Sequence, residues 1–173
     1  MNLELVRRPL GGPTLVREYE SGEDGALRFF AGNPRSPDAF RRKAAEVDGR
    51  FDRTARESAA ALVSSPTDAA EERMGRFVSD DGVLVTTGQQ PGLFGGPLYS
   101  IYKGLTAVRL ADALETLLDR PVAPLFWIAS DDHDWEEANH TWVVDLENEL
   151  RRIALPDEPP VPGEPPLHRI SLE

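Results

Sequence analysis

The sequence predicts an α/β fold whose core is a strand–helix–strand unit. Residues 83–85 form a short apolar run of strand type, apolar residues recur at helical spacing over residues 98–118, and residues 122–129 form a continuous apolar run of strand length. A strand without polar alternation is typically covered on both faces, as in parallel sheets. We therefore expect two parallel strands joined by a helix, with Phe126 and Trp127 in the core.

The region before this unit, residues 1–80, is predicted to be an arm followed by helices that pack on the core. Short apolar patches broken by glycines predict a short strand or an irregular arm over residues 3–19. Ser36 as a cap and Pro37 in the first turn predict the start of the first helix. The expected helices cover residues 39–47, 51–63 and 68–77. Their apolar faces are modest, so we expect no catalysis from them.

The core segment, residues 81–155, ends in a predicted β-hairpin, and residues 156–173 are predicted to be a linker. The hairpin strands cover residues 141–146 and 149–155, where apolar and polar residues alternate. Six prolines in residues 156–166 are typical of an extended arm. We expect this arm to lead to a carboxyl-terminal region beyond residue 173.

Composition narrows the function classes. The 173 residues carry a net charge of −11, which argues against a nucleic-acid surface because such a surface needs a basic field. The absence of cysteine excludes thiolate chemistry. Neither a membrane span nor a signal peptide is evident, so we expect a cytoplasmic protein that handles small molecules.

Residues 86–97, Thr-Thr-Gly-Gln-Gln-Pro-Gly-Leu-Phe-Gly-Gly-Pro, form a glycine-rich turn between the first strand and the helix. A strand, a glycine turn and a helix amino terminus with Pro97 at its first position together favour an anion site. Neither standard phosphate-loop spacing occurs, so a connection that merely turns the chain is the alternative.

Polar residues beside this turn are candidate ligand contacts. Tyr99 and Lys103 lie in the first turns of the predicted helix, where either side chain could reach a bound anion. The alternative for Lys103 is an ordinary exposed lysine. Gln89 and Gln90 carry amides that could bind a base or a carbonyl group; ordinary loop polarity is their alternative.

A second unusual segment, residues 130–140, follows the second strand and lies in an acidic stretch. Between Asp131 and Leu150 there are eight acidic residues and no lysine or arginine. Three interpretations remain open. Asp132, His133 and Asp134 contact a nucleotide or substrate; His133 and His140 bind a divalent metal with neighbouring acids, as in a hydrolase; or the carboxylates cap a helix that begins near Trp135. The carboxyl ends of parallel strands share one edge, so both segments should converge.

Three stretches carry a family resemblance: residues 87–103, 124–134 and 137–140. They resemble the cysteine-adding enzymes of bacillithiol biosynthesis, the BshC family, most strongly over residues 83–145. The resemblance implies a Rossmann-like parallel-sheet core, incomplete here, related to nucleotidyltransferases and class I aminoacyl-tRNA synthetases. It also implies addition of cysteine to glucosaminyl malate, ATP or ADP with Mg²⁺ as cofactor, and a homodimer through a coiled coil outside this sequence.

The resemblance further implies two groups of site residues that face each other, with no residue assigned to a metal. Asp132, His133 and Asp134 form the catalytic group. The cofactor-binding group comprises Thr87, Gly88, Gln89, Gln90, Gly92, Gly95, Tyr99 and Lys103. The loop lacks the histidines of the synthetases' His-x-Gly-His loop, and Lys103 is the chief cation among several carboxylates. We therefore expect residues 1–173 to be inactive alone; a degenerate nucleotide-binding module is the non-enzymatic alternative.

Overall fold

A computed structural model describes residues 11–171, and the chain divides into two compact units, residues 1–64 and 65–173. The described part of the first unit holds four helices: α1 (Thr14–Ser21), α2 (Asp24–Leu27), α3 (Pro37–Asp48) and α4 (Arg53–Ala60). Within residues 11–171, no helix has the length and apolar character needed to cross a membrane.

The amino-terminal arm prediction is wrong where the structure describes it. Helix α1 begins after Pro13 and ends at Gly22, whose φ of 77° suits glycine at a helix end. Pro13 and Gly22 are ordinary signals for the start and the end of a helix. The glycines at positions 11 and 12, directly before Pro13, favoured the prediction of an irregular arm instead. The remainder of the predicted arm, residues 3–10, lies outside the described residues.

The two later helices of the first unit match the predicted regions. Helix α3 starts at Pro37, although the Ser36 side chain makes no capping hydrogen bond. Helix α4 is shorter than predicted, and the Asp52 side chain caps it by accepting from the Ala55 amide at 2.9 Å. Buried Arg56 donates to the Asp48 carboxylate at 2.8 Å, which joins the two helices.

The second unit contains the predicted strand–helix–strand core. Its elements are α5 (Asp68–Ser79), β1 (Val83–Gln89), α6 (Leu98–Leu118), β2 (Val122–Ile128), α7 (Trp135–Ala138), β3 (His140–Val144) and β4 (Leu150–Ala154). Strands β1 and β2 are parallel, and α6 packs on both. Strands β3 and β4 form the antiparallel hairpin. The α/β prediction is confirmed, including the hairpin.

Strand β1 is longer than the sequence predicts, because it continues through part of the glycine-rich segment. Gly88 pairs with Trp127 and Gln89 with Ile128 in the parallel register. A Cβ atom on Gly88 would lie 2.6 Å from the Trp127 carbonyl oxygen, so this position requires glycine for close strand approach. The turn itself is therefore confined to the residues after Gln89, and α6 begins one residue after Pro97.

The core lies at the amino end of the sheet. Residues from both strands and both long helices are buried there: Phe77, Val83, Ala107, Ala111, Leu114, Val122 and Ala123. The prediction that Phe126 and Trp127 belong to the core is wrong, since they are 39% and 66% exposed. Adjacent strand residues point to opposite faces, so only one of these two rings can face α6. The Phe126 ring lies beside Gly104 of that helix.

Candidate functional site

Side chains from three elements form a hydrogen-bonded network at the carboxyl end of β1. The Lys103 ammonium donates to the Gly88 carbonyl at 3.2 Å and to Gln89 Oε1 at 2.7 Å. Gln89 Nε2 donates to Glu137 Oε1 at 3.1 Å, and the Tyr99 hydroxyl donates to the same oxygen. We call Gln89, Tyr99, Lys103 and Glu137 the carboxyl-end cluster.

Local structure explains why these side chains meet. Tyr99 and Lys103 are four residues apart in α6 and share one face, with the Lys103 ammonium 5.1 Å from the Tyr99 ring centroid. The Gln89 carbonyl accepts from the Ala129 amide at 3.0 Å, which holds the two strand ends together. Glu137 lies on the single turn of α7. The cluster therefore joins the two segments that the sequence predicts to converge.

The charges of the cluster are held apart. Lys103 and Glu137 form no ion pair, because the neutral Gln89 amide lies between them. The Tyr99 hydroxyl donates to the Glu137 carboxylate, and this raises the pKa of Tyr99 above its usual range. Glu137 thus receives two neutral donors on one oxygen.

The turn after β1 uses several of its own backbone donors. The Gly95 amide donates to the Gly92 carbonyl at 3.0 Å, the Gly96 amide to Leu93 at 3.0 Å, and the Ser100 amide to Pro97 at 2.8 Å. Among the described residues, the amides of Leu98 and Tyr99 find no backbone acceptor. The amides of Gly95, Gly96 and Ser100 are therefore engaged within the turn, whereas those of Leu98 and Tyr99 at the start of α6 are available to a ligand.

The remaining residues of the predicted cofactor-binding group occupy different positions. Gln90 Oε1 accepts from Gln89 Nε2, which attaches Gln90 to the carboxyl-end cluster. Thr87 lies in β1 and lines a groove beside α6. A Cβ atom on Gly92 would lie 2.7 Å from the Gly96 Cα atom, whereas Gly95 has a φ of 91° and open space around it. Thr87, Gly92 and Gly95 therefore have no part in the side-chain network.

The carboxylates of the second segment bind backbone amides. Asp132 Oδ1 accepts from the His133 amide at 2.7 Å and from the Asp134 amide at 3.1 Å. Asp134 Oδ1 accepts from the Glu137 amide at 2.9 Å and so caps α7. The His133 side chain is exposed. The capping interpretation is confirmed for Asp134, while catalysis by Asp132, His133 and Asp134 stays a prediction.

The metal interpretation assumed that His133 and His140 lie on one helix. In the structure they do not. Helix α7 ends at Ala138, and His140 begins β3. The His140 Nδ1 atom lies 3.0 Å from the Glu136 carbonyl oxygen and 3.0 Å from Asn139 Oδ1. Within residues 11–171, no three histidine or acidic side chains are arranged to hold a metal ion.

The Pro-rich segment returns to the second segment. Trp135 Nε1 donates to the Pro156 carbonyl at 3.0 Å, and the Leu167 amide donates to the Asp132 carbonyl at 2.8 Å. The His168 amide donates to the Ser130 carbonyl at 2.9 Å, and His168 Nδ1 lies 2.9 Å from the same oxygen. These bonds fasten the backbone on both sides of Asp131.

Sequence reasoning missed Glu137 and His168. Glu137 is one of eight acids in a run, and composition and spacing alone do not separate it from Glu136. The one signal available is that the stretch 137–140, which carries the family resemblance, begins at Glu137. His168 follows six prolines, and no sequence pattern predicts that such an arm returns to a strand end.

Comparisons with known proteins agree with the fold. Residues 1–165 match the family described as bacillithiol biosynthesis BshC, N-terminal Rossmann-like domain. A relative from Solibacter usitatus is 41% identical over 137 residues, or 76% of this chain and 25% of the relative. One from Geobacillus kaustophilus is 36% identical over 162 residues, or 89% of this chain and 29% of the relative.

A third relative, from Exiguobacterium sibiricum, is 43% identical over 88 residues, or 51% of this chain and 17% of the relative. All three relatives carry the name "Putative cysteine ligase BshC". The chain therefore spans between 17% and 29% of the length of these relatives. Because the family match covers almost the whole sequence, the chain belongs to the BshC family of bacillithiol biosynthesis, in the region of its N-terminal Rossmann-like domain.

Proposed function

We propose that the chain is the substrate-binding part of a cysteine ligase that adds cysteine to glucosaminyl malate. The observation that carries this proposal is the carboxyl-end cluster, which joins β1, α6 and α7. Ligands of open parallel α/β sheets bind outside the carboxyl ends of the strands. Family membership and the names of the relatives support the same activity.

The proposed reaction forms the C–N bond of an amide from a carboxyl group and an amine, and one carboxyl oxygen leaves, as water in the overall balance, with the two protons that the amine loses. The site must therefore bind both polar partners and move a proton from the amine to the departing oxygen. Lys103 and Glu137 supply one charge of each sign at the strand end. Asp132, His133 and Asp134 are the proposed catalytic residues. His133 is exposed beside this edge, and histidine is the side chain suited to proton transfer near neutral pH.

ATP or ADP with Mg²⁺ belongs to the proposal through the family resemblance. In the turn after Gln89, the amides of Gly95, Gly96 and Ser100 donate within the turn, so a phosphate group there would depend on the amides of Leu98 and Tyr99 at the start of α6. An assay with and without ATP and Mg²⁺ tests whether the nucleotide is required.

The proposal includes a cytoplasmic location and a homodimer through a coiled coil outside residues 1–173. It also includes inactivity of the 173 residues alone. The chief reason for that inactivity is electrostatic. Stabilising the developing negative charge of acyl transfer requires positive groups, and Lys103 is the chief cation of this candidate site among several carboxylates.

A chimera tests the proposed function. The corresponding residues of the Solibacter usitatus relative are replaced by this chain, and mass spectrometry follows formation of cysteinyl product from cysteine and glucosaminyl malate, with and without ATP and Mg²⁺. Product from the chimera and none from the 173 residues is the expected result. A folded chimera without product, when the intact relative is active, would overturn the proposal.

Thermal denaturation separates the ligase from a degenerate module. A ligand at one hundred times its dissociation constant stabilises the folded chain by about 2.7 kcal/mol. We expect glucosaminyl malate or cysteine to raise the melting temperature of the 173 residues. A degenerate module would melt at the same temperature with and without each ligand.

A further inference from the structure

We propose that the carboxyl-end cluster is a subsite for the zwitterionic head of an α-amino acid. Glu137 binds the ammonium group of the ligand, and Lys103 binds its carboxylate. The assignment of cysteine as that amino acid rests on the proposed function, whereas the preference for a zwitterion rests on the cluster alone.

The charged groups of Lys103 and Glu137 are separated within the cluster. Gln89 Oε1 lies 2.7 Å from the Lys103 ammonium, and Gln89 Nε2 lies 3.1 Å from Glu137 Oε1. The oxygen and nitrogen of one amide are roughly 2 Å apart, so the two charges are at most about 8 Å apart. The neutral Gln89 amide bridges the two charged groups.

The side-chain amide of Gln89 resembles the head group of an amino acid. Its carbonyl oxygen faces the ammonium of Lys103, and its NH₂ group faces the carboxylate of Glu137. The head group of an amino acid carries the same pair of partners, an oxygen acceptor and an N–H donor, on two adjacent carbons and with full charges. The Gln89 amide therefore occupies the place of an amino-acid head group, but without its charges.

The charges of the cluster disfavour phosphate groups and divalent metal ions as ligands. A phosphate group would gain from Lys103 but would meet the Glu137 carboxylate at the same place. A divalent metal ion takes several oxygen ligands, and the cluster offers a single carboxylate. Only a ligand with both signs of charge satisfies Lys103 and Glu137 together.

Burial of the cluster affects how strongly it binds an amino-acid head group. Gln89, Lys103 and Glu137 are each partly shielded from solvent. The present bonds of the Gln89 amide each join a neutral group to a charged one, whereas an amino-acid head group would place an opposite full charge against Lys103 and against Glu137, and partial burial reduces the screening of these charges. The charged head group therefore gains Coulomb attraction that the amide lacks, and the Gln89 side chain must move aside to allow it.

Calorimetric titration of the 173-residue chain tests the subsite with three probes of similar size. L-cysteine carries both charges, cysteamine lacks the carboxylate, and 3-mercaptopropionate lacks the ammonium. We expect cysteine to bind and each of the other two to bind at least about tenfold more weakly, since each forfeits one charge-assisted contact. This series needs no substitution, so it is independent of how any variant folds.

Matched variants assign the two charges. Glu137→Gln should weaken cysteine binding about tenfold or more, while affinity for 3-mercaptopropionate should not fall. Lys103→Met should weaken cysteine and leave cysteamine unaffected. Glu136→Gln, on the same turn with an exposed side chain, is the control and should bind cysteine as the parent chain does. Circular dichroism confirms that each variant is folded.

The proposal is overturned if the folded chain does not bind cysteine, if all three probes bind equally, or if the Glu137 and Glu136 variants behave alike. Failure of the ligase itself gives a different pattern. Zwitterion-selective binding together with an inactive chimera would reject the proposed function and keep the subsite. An active chimera without zwitterion selectivity would reject only the subsite.

Discussion

The two ends of the β1–β2 sheet carry polar clusters of opposite design. At the amino end, Arg73 donates to the Val122 carbonyl at 2.8 Å and to Asp112 at 2.8 Å, and lies 3.4 Å from Glu115. Arg76 donates to Glu115 at 2.6 Å. This amino-end cluster, comprising Arg73, Arg76, Asp112 and Glu115, pairs two cations directly with two anions. The carboxyl-end cluster keeps its two charges apart.

The difference teaches which polar groups stabilise the fold and which are available to a ligand. Direct pairing with Arg76 holds the pKa of Glu115 below its usual range, as expected for a carboxylate whose charge is satisfied internally. The amino-end cluster also fastens α5 to α6 and β2. Among residues 11–171, the donors to the Glu137 carboxylate are both neutral, and its charge is available to another partner.

The largest expected effect is loss of the amino-end cluster. Arg73→Met should lower the free energy of unfolding by about 3 kcal/mol, because it removes the donor of the Val122 carbonyl and of the Asp112 carboxylate and leaves Glu115 with Arg76 as its one arginine partner among the described residues. Urea denaturation measures the loss. Arg76→Met, at a more exposed site, should lose less. If cysteine binding also falls in folded Arg73→Met, the two clusters are not independent.

Two glycines probe the sheet near the carboxyl end. Gly88→Ala should destabilise by about 1–3 kcal/mol, because the new Cβ atom would lie 2.6 Å from the Trp127 carbonyl oxygen and the strands would have to separate. Gly104→Ala is the control inside α6, where the new atom would lie 3.7 Å from the Phe126 ring. It should stabilise by up to about 1 kcal/mol through helix propensity. Equal melting temperatures for the two variants would contradict the close approach at Gly88.

The sequence predicts the strand–helix–strand unit and the hairpin because each has a strong local signal. Helix α6 has apolar spacing throughout and ends at Asp119, where φ turns to 52°. The boundary of β1 could not be predicted, since Gly88 looks like a turn residue until its partner Trp127 is known. The same limit applies to Phe126 and Trp127: an apolar run gives strand type but does not say what covers it.

The candidate site was predictable in place but only partly in membership. Gln89, Tyr99 and Lys103 were found because they flank a strand end and a helix start. Glu137 belongs to the site only because the cap of α7 fixes one turn of helix at that point. Such a contact depends on tertiary structure, and residue type alone does not distinguish Glu137 from Glu136.

Asp134 separates a structural role from a catalytic one. Asp134→Ala should destabilise by about 1 kcal/mol through loss of the α7 cap, whereas Asp134→Asn should retain stability because asparagine caps equally well. Chemical denaturation of both variants measures this. In the active chimera, Asp134→Asn should then lose activity only if the charge of Asp134 acts in the reaction. A stable and fully active Asn variant would leave Asp134 with capping alone.

The smallest effect concerns the titration of Tyr99, which reports directly on the unpaired charge of Glu137. The bond to Glu137 raises the pKa of Tyr99 above its ordinary 10.0, so the stability that it contributes is fully present below the unfolded pKa. That contribution is lost as pH rises through the folded pKa. Ultraviolet absorbance of tyrosinate, taken as the difference between the parent chain and Tyr99→Phe, isolates this group.

In Glu137→Gln, the pKa of Tyr99 should fall toward its ordinary value, because a neutral amide does not disfavour the phenolate. Glu136→Gln should leave the titration unchanged. A Tyr99 titration that is insensitive to Glu137→Gln would mean that solvent already screens the charge of Glu137. The two ends of the sheet would then differ in how their charged groups are arranged, and not in the electrostatic effect of those charges.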